Sequence, residues 1–377
     1  MPEEFYPRID EGDRAYGYHK PGNGDGGKKR INLALQGGGS HGAFTWGVLD
    51  RLLEDGRLDI EAVSGTSAGA MNATVMADGF VRNGNQGARD QLKAFWAAVA
   101  KEAQYSPVQR APFDMLMGTW SLDASPGYAF FDMLSKMASP YELNPFNVNP
   151  LKELLDTVVD FDKVRECEHP LIFISCTNVE TGRATVFKRD QISADVVMAS
   201  ACLPHVFQAV EIDGVPYWDG GYMGNPVLFP FHDSTRTCDY VIVQINPVFR
   251  QGAPKTSREI INRINEISFN SALLLELRGI DFVRKLIEDG KLSADEYKRI
   301  NIHTISAHED LAPLGASSKM NGEWEFLQHL FEIGRRAADK FLTESYDKLG
   351  VMPTCNLREM YQGDGPNPHP QYTGKLR

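Results

Sequence analysis

Short apolar runs alternate along this chain with amphipathic ones, and glycines stand where one gives way to the other. Ile31-Asn32-Leu33-Ala34-Leu35-Gln36 runs directly into Gly37-Gly38-Gly39, and a short apolar run closed by glycine reads as a buried strand. From Ala43 to Leu53, Phe44, Val48, Leu49 and Leu52 recur at the spacing of one helix face. The pattern then repeats. Ile60–Ser64 predicts a second strand, Gly65-Thr66-Ser67-Ala68-Gly69 a tight turn, and the small residues to about Ala77 a second helix. Strand, glycine turn and helix twice in succession predict a parallel sheet covered by helices. Further strands are expected at Leu171–Thr177, Ala184–Phe187, Gln208–Ile212, Tyr240–Ile245 and Ile302–Ser306, with a hairpin over Val210–Tyr217. Helices are expected over residues 88–103, 150–159, 193–202, 257–289 and 323–348. No internal repeat is visible.

Two stretches break the rhythm. Residues 1–29 read as a flexible leader ending in the glycine-rich Pro21–Gly27. Residues 104–148, inside a main α/β core expected over 30–250, are rich in proline, methionine and aromatic side chains. Such a cluster is either core and packing surface or a lid and acyl-chain pocket, because flexible methionines and flat rings suit a variable alkyl chain. The helical part over 251–350 is expected to complete or cap the core, and residues 351–377 to form an extended tail.

The 377 residues suit one large α/β domain or two modest ones, and 42% hydrophobic residues supply a sizeable core. A formal net charge of -11 leaves no basic excess for nucleic-acid phosphates, so no nucleic-acid partner is expected. It also disfavours simple electrostatic adhesion to anionic lipid. Cys167, Cys176, Cys202, Cys238 and Cys355 are scattered, with no CxxC pair or Cys/His cluster, so neither a disulfide framework nor a zinc site is expected. The polar start MPEEFYPRIDEGDR is no secretory signal, and no apolar run reaches membrane-spanning length. The expectation is a soluble cytoplasmic protein with free thiols.

The chemistry gathers at three glycine-rich points. Gly65-Thr66-Ser67-Ala68-Gly69 has the form G-x-S-x-G between a strand and a small-residue helix, the setting of a nucleophile elbow. A serine on so sharp a turn needs near-hydrogen-sized neighbours, and the following helix start favours negative charge beside it. The plainer reading is a turn whose serine caps the helix. Ser40 and Ser64 are rival nucleophiles, but neither lies centrally between paired glycines. Gly37-Gly38-Gly39-Ser40-His41-Gly42 forms a nest of exposed N–H groups. It lacks both G-x-x-x-x-G-K-[ST] and a supported G-x-G-x-x-G, so an oxyanion hole fits better than a nucleotide site. The third point, Asp219-Gly220-Gly221, is on its own as much a turn signature as a site.

In this order the three segments resemble the patatin-like phospholipases. A fourth, Ala199-Ser200-Ala201-Cys202-Leu203-Pro204-His205-Val206-Phe207, is similar to that family's A-S-x-A-x-P-x-x-F, and the resemblance covers roughly residues 31–225. It implies a three-layer α/β/α fold with a mostly parallel central sheet and a lid or cap, and a serine–aspartate dyad without histidine. It assigns Ser67 as nucleophile, Asp219 as base, Gly37, Gly38 and Gly39 as the oxyanion hole, and Gly42, Gly65, Gly69, Gly220 and Gly221 as motif glycines. It implies a lipid or acyl ester substrate, transient contact with a membrane surface, and no metal or cofactor. The family often carries Arg or Lys where this chain has His41, which puts phosphate-headgroup recognition in doubt. A Ser–His pair using His41 or His205 is the rival mechanism. An acyltransferase using the same serine, and a catalytically inactive lipid-binding protein, are the rival functions.

Overall fold

The structure is a computed structural model that describes residues 27–362. Most of the expected leader and the last fifteen residues of the expected tail lie outside the described residues.

The first half of the chain builds the centre of the sheet. β1 (Lys29–Leu35) leads into α1 (Gly42–Asp55), β2 (Leu58–Gly65) and the long α2 (Ala68–Ala103). Five short helices come next: α3 (Pro112–Leu116), α4 (Pro126–Met137), α5 (Pro140–Leu143), α6 (Pro150–Val158) and α7 (Phe161–Glu166). Then come β3 (Leu171–Asn178), β4 (Arg183–Lys188), α8 (Ala194–Ser200), β5 (Val210–Ile212) and β6 (Val215–Asp219). The remainder is α9 (Pro230–Ser234), β7 (Asp239–Gln244), α10 (Ser257–Glu288), β8 (Asn301–Ser306), α11 (His308–Leu311), α12 (Trp324–Glu344) and α13 (Leu357–Gln362).

Residue alternation along the strands sets the three layers. Ile31, Leu33 and Leu35 of β1 and Val241 and Val243 of β7 face one side, where α1, α2, α8 and α12 cover them. Ala34, Tyr240 and Ile242 face the other, against Leu273, Leu277 and Ile280 of α10 and Leu357 of α13. Burial of both faces explains why these strands read as continuous apolar runs. α1 ends at Gly56, whose left-handed φ of 71° lets its N–H reach the Leu52 carbonyl at 3.2 Å. Where α1 meets α12, Gly47 lies on the Phe331 backbone and Gly334 on the Phe44 backbone, a spacing no larger residue permits.

Several elements differ from the sequence expectations. α2 is one long element rather than two separate helices, broken by non-helical Asn83 and Gly84. Residues 357–362 are the helix α13 rather than extended tail, because Leu357 is buried beneath α10. The apolar side chains of 104–148 are largely outside the core. α4 has no buried residue, and Leu116, Met137 and Phe146 are 84%, 76% and 88% exposed.

The sheet order is β5-β6-β3-β2-β1-β7-β8, with β4 beside β3. β1, β2, β3, β7 and β8 pair in parallel, while β4, β5 and β6 pair antiparallel. The two edges of β3 are used differently. β4 occupies one edge from Phe173 to Asn178. β2 and β6 therefore share the other edge, β2 beside Leu171–Ile174 and β6 beside Cys176–Asn178. Gly65, the end of β2, is opposite Ile174, and Asp219, the end of β6, is opposite Cys176. The two strands thus run toward each other end to end, and the turn that leaves Gly65 must meet Asp219.

Candidate active site

The turn leaving Gly65 carries Ser67, at the cap position of α2. Its φ of 54° and ψ of -122° lie where a side chain is normally excluded, a strain of about 1–3 kcal/mol that the surroundings must hold. They do so from several sides. The Thr66 N–H donates to the Leu35 carbonyl at 3.3 Å, and the Gly69 N–H to the Thr66 carbonyl at 2.8 Å. The Thr66 hydroxyl donates to the Gly224 carbonyl at 2.8 Å. The Ser67 N–H donates to the Ser200 hydroxyl oxygen at 2.9 Å, and that hydroxyl donates to the Ser175 carbonyl at 2.7 Å. Gly65 and Gly69 face each other across the turn, and Gly42 packs on Ala68.

Asp219 sits in front of this turn, 1% exposed. Its backbone is pinned on both sides: its N–H donates to the Cys202 carbonyl at 2.8 Å, and its carbonyl accepts the Thr177 hydroxyl at 2.8 Å. Its carboxylate accepts the Gly221 N–H at 2.7 Å and faces the Ser67 hydroxyl, which helps to lower its pKa. Burial pushes the carboxyl from its ordinary 3.8 up to about 7, against the opposing pull of the Gly221 N–H, the Ser67 hydroxyl and the Lys319 ammonium. A Cβ on Gly221 would lie 2.9 Å from that carboxylate and overlap the ring of Phe269 of α10, so a larger residue would have to displace one of them. Gly220 packs just as closely against the Ser175 carbonyl.

The glycine loop after β1 forms the third side. A Cβ on Gly37 would stand 2.6 Å from both Ser67 Cβ and the Thr66 carbonyl oxygen, so the loop touches the serine directly. The Gly37 N–H is already taken by Asn225 Oδ1 at 2.6 Å. Among the described residues no acceptor takes the N–H of Gly38 or Gly39. Gly39 has a left-handed φ of 59° and rests on the Lys319 carbonyl. Beneath the loop lies a buried amide network. Gln36 Oε1 accepts the N–H groups of Ile245 and Asn246 at 2.9 Å each, and Gln36 Nε2 donates to the Asn225 carbonyl and to Asn270 Oδ1 at 3.1 Å each. Asn246 Nδ2 donates to the Gly37 carbonyl at 2.8 Å, and Lys319 Nζ donates to Asn246 Oδ1 at 2.8 Å.

The two histidines of the rival mechanism do not hydrogen-bond Ser67. The Ser318 hydroxyl donates to the Gly315 carbonyl at 2.7 Å, so His41 Nε2–H donates to the Ser318 oxygen at 2.8 Å. The ring edge of His41 packs on Phe326, and burial, with repulsion from Lys319, lowers its pKa to about 3. His205 is exposed between α8 and β5. Ser64 is fully buried within β2, and Ser40 comes after Gly39 in the glycine loop. All five cysteines are free thiols. Among the described residues, no group of three or more His, Cys, Asp or Glu side chains is placed to hold a metal ion, and no helix is long and apolar enough to cross a membrane.

Sequence reasoning finds Ser67, Asp219 and the glycine loop, but not their supports. Ser200 belongs to the fourth matched segment, whose purpose the sequence does not state; the structure makes it the acceptor for the Ser67 N–H, while Cys202 of the same segment holds Asp219. Asn225, Asn246 and Lys319 carry no spacing signal at all.

A serine on a strained strand–helix turn, a buried carboxylate against its hydroxyl and a glycine nest with free N–H groups define a site suited to acyl transfer. The family model of the patatin-like phospholipases matches residues 33–232, and the chain belongs to that family, whose domain is a lipid acyl hydrolase. Among solved structures, VipD from Legionella pneumophila is similar at 16% identity over 90% of this chain and 75% of that one, with a TM-score of 0.34. No curated protein matches closely enough to count as a relative.

Proposed function

We propose that the protein hydrolyses carboxylic ester bonds of phospholipids, lysophospholipids or simpler acyl esters through a Ser67–Asp219 dyad. The observation carrying this reading is the strained backbone of Ser67 beside the buried Asp219 carboxyl, which feels the Ser67 hydroxyl and is raised by burial to about 7. A base with that pKa is half ionised near neutrality and can both take and return a proton.

The Ser67 oxygen attacks the ester carbonyl while its proton passes to Asp219. The N–H groups of Gly38 and Gly39 receive the oxyanion, with Gly37 fixed by Asn225 as their support. Collapse of the tetrahedral intermediate expels the alcohol, which leaves with the proton from Asp219. A water then gives its proton to Asp219 and attacks the acyl-enzyme, and the Ser67 hydroxyl is restored as the fatty acid departs. Residues 104–148 would serve as a lid or lipid-contacting surface. They reach both flanks of the site: the Leu122 N–H donates to Ser317 Oγ at 3.2 Å, and the Gln208 side chain donates to the Asn144 carbonyl at 2.7 Å.

The test is hydrolysis of p-nitrophenyl esters of increasing chain length by wild type, Ser67→Ala and Asp219→Asn, together with fluorophosphonate labelling. Labelling of Ser67 and loss of turnover in both variants are expected. Equal turnover by wild type and Ser67→Ala refutes the assignment. Faster transfer to an added alcohol than to water would indicate an acyltransferase, and a folded protein inert to probe and esters would indicate a binding role.

A further inference from the structure

The glycine loop has no charge of its own, since burial keeps His41 neutral. A cation nevertheless reaches it from far along the chain. The short turn Ser317–Met320, between α11 and α12, lays the Lys319 carbonyl against Gly39 and sends the Lys319 side chain beneath the loop. There its ammonium donates to Asn246 Oδ1 at 2.8 Å, and Asn246 in turn donates to the Gly37 carbonyl at 2.8 Å. Backbone packing at Gly39 and a side-chain relay at Gly37 thus tie this one residue to both ends of the Gly37–Gly39 segment.

We propose that Lys319 is a positioning residue of this site, whose ammonium fixes the glycine loop and favours negative charge on both the oxyanion and Asp219. The inference rests on the Ser67–Asp219 dyad and adds to it a charge that the motifs do not contain.

The charged groups facing each partner support this. Burial lowers the Lys319 pKa and Arg250 adds to this, while Glu266 and Asp219 oppose it and favour the ammonium; Lys319 in turn repels a charge on His41. Glu266 is already engaged by Arg250 at 2.6 Å and Arg263 at 3.1 Å. Among the described residues, Asp219 is therefore the carboxylate near Lys319 without an arginine partner. Around Asp219 itself stand the Ser67 hydroxyl, the Gly221 N–H, the Cys176 and Cys202 thiols and the Tyr222 phenol. Burial pushes both thiols and the phenol upward, so they are uncharged near neutral pH. Lys319 is the cation that the Asp219 carboxylate senses.

Removing a nearby positive charge raises a carboxyl pKa, so without Lys319 a base at Asp219 would become active only at higher pH. A merely structural lysine would lower the rate without moving the pH profile. The experiment compares kcat/KM against pH for wild type, Lys319→Met and Lys319→Arg, with an aliquot of each labelled by a fluorophosphonate to count reactive Ser67. Lys319→Met is expected to lose about tenfold or more in kcat and to move the acid limb to higher pH. Lys319→Arg, which keeps the charge, is expected to restore the limb even where geometry leaves kcat low. A reactive wild type whose acid limb is the same in Lys319→Met overturns this proposal alone, and so does a limb that Lys319→Arg fails to restore. A wild type that neither labels nor turns over any ester overturns the dyad reading and this proposal with it.

Discussion

If Asp219 is held in the fold as a base, it is held at a cost, and replacing it with asparagine should stabilise the protein while inactivating it. An acid whose pKa is raised on folding opposes folding when ionised. The penalty is absent below the ordinary value of 3.8, grows as pH rises, and is complete above the folded value of about 7. That difference corresponds to about 4 kcal/mol at 1.36 kcal/mol per pH unit. Asparagine is nearly the same shape, and its carbonyl can still accept the Gly221 N–H, which lies 2.7 Å from Asp219 Oδ1. Part of the gain is lost because the Ser67 hydroxyl gives up a charged acceptor. Asp219→Asn should therefore be more stable than wild type by about 2–4 kcal/mol at pH 8, with the gap about halved or smaller at pH 5 as the native carboxyl takes up its proton.

Urea denaturation followed by tryptophan fluorescence at the two pH values measures both quantities. Turnover of a short-chain ester should fall about a thousandfold or more in the same variant. A variant less stable than wild type at pH 8, or a gap independent of pH, would show that the buried carboxyl is not raised and would remove its qualification as a base.

Two further substitutions test the supports of the site. Gly39→Ala places a methyl group on a residue with φ of 59° and against the Lys319 carbonyl; kcat should drop about a hundredfold, the scale of losing one oxyanion donor, and unchanged kcat would place the oxyanion elsewhere. Ser200→Ala leaves the Ser67 N–H without its acceptor at 2.9 Å, which should cost about 1–3 kcal/mol in urea denaturation and slow acylation; a neutral result would mean that α8 does not hold the elbow.

The elements that could be read from the sequence are those whose burial is complete and whose pattern is local. β1, β7 and β8 are expected close to where they lie: β1 and β7 are covered on both faces and carry nearly continuous apolar runs, and β8 is marked by Ile302 and Ile305. β6 is legible only as half of a hairpin: Val215-Pro216-Tyr217-Trp218-Asp219 alternates weakly, and nothing local states that it pairs with β3 beyond the end of β2. The helices α7, α9 and α13 are too short for helical periodicity to reveal. The apolar stretch 104–148 has the composition of a core, yet its helices and loops present Leu116, Met137 and Phe146 to the outside. Composition records that those residues are apolar but not which side of the chain has a partner.

The site divides in the same way. Ser67, Gly37 and Asp219 can be found because turns and close approaches constrain their immediate neighbours, so the constraint is written within a few adjacent residues. Ser200 reaches Ser67 from 133 residues away, and Asn225, Asn246 and Lys319 act through single contacts between distant segments. Single contacts of that kind leave no spacing to detect. This separation bears on the chemistry. A carboxylate in water is too weak a base for a serine, and a histidine would be the natural choice. Here the histidine of the glycine loop, His41, is committed to Ser318 and held near a pKa of about 3. The meeting of β6 with the end of β2 instead buries Asp219 against Ser67, and burial lifts its pKa to about 7. The feature that would make an aspartate sufficient is therefore the shared edge of β3, a property of the sheet that the D-G-G motif marks but does not contain.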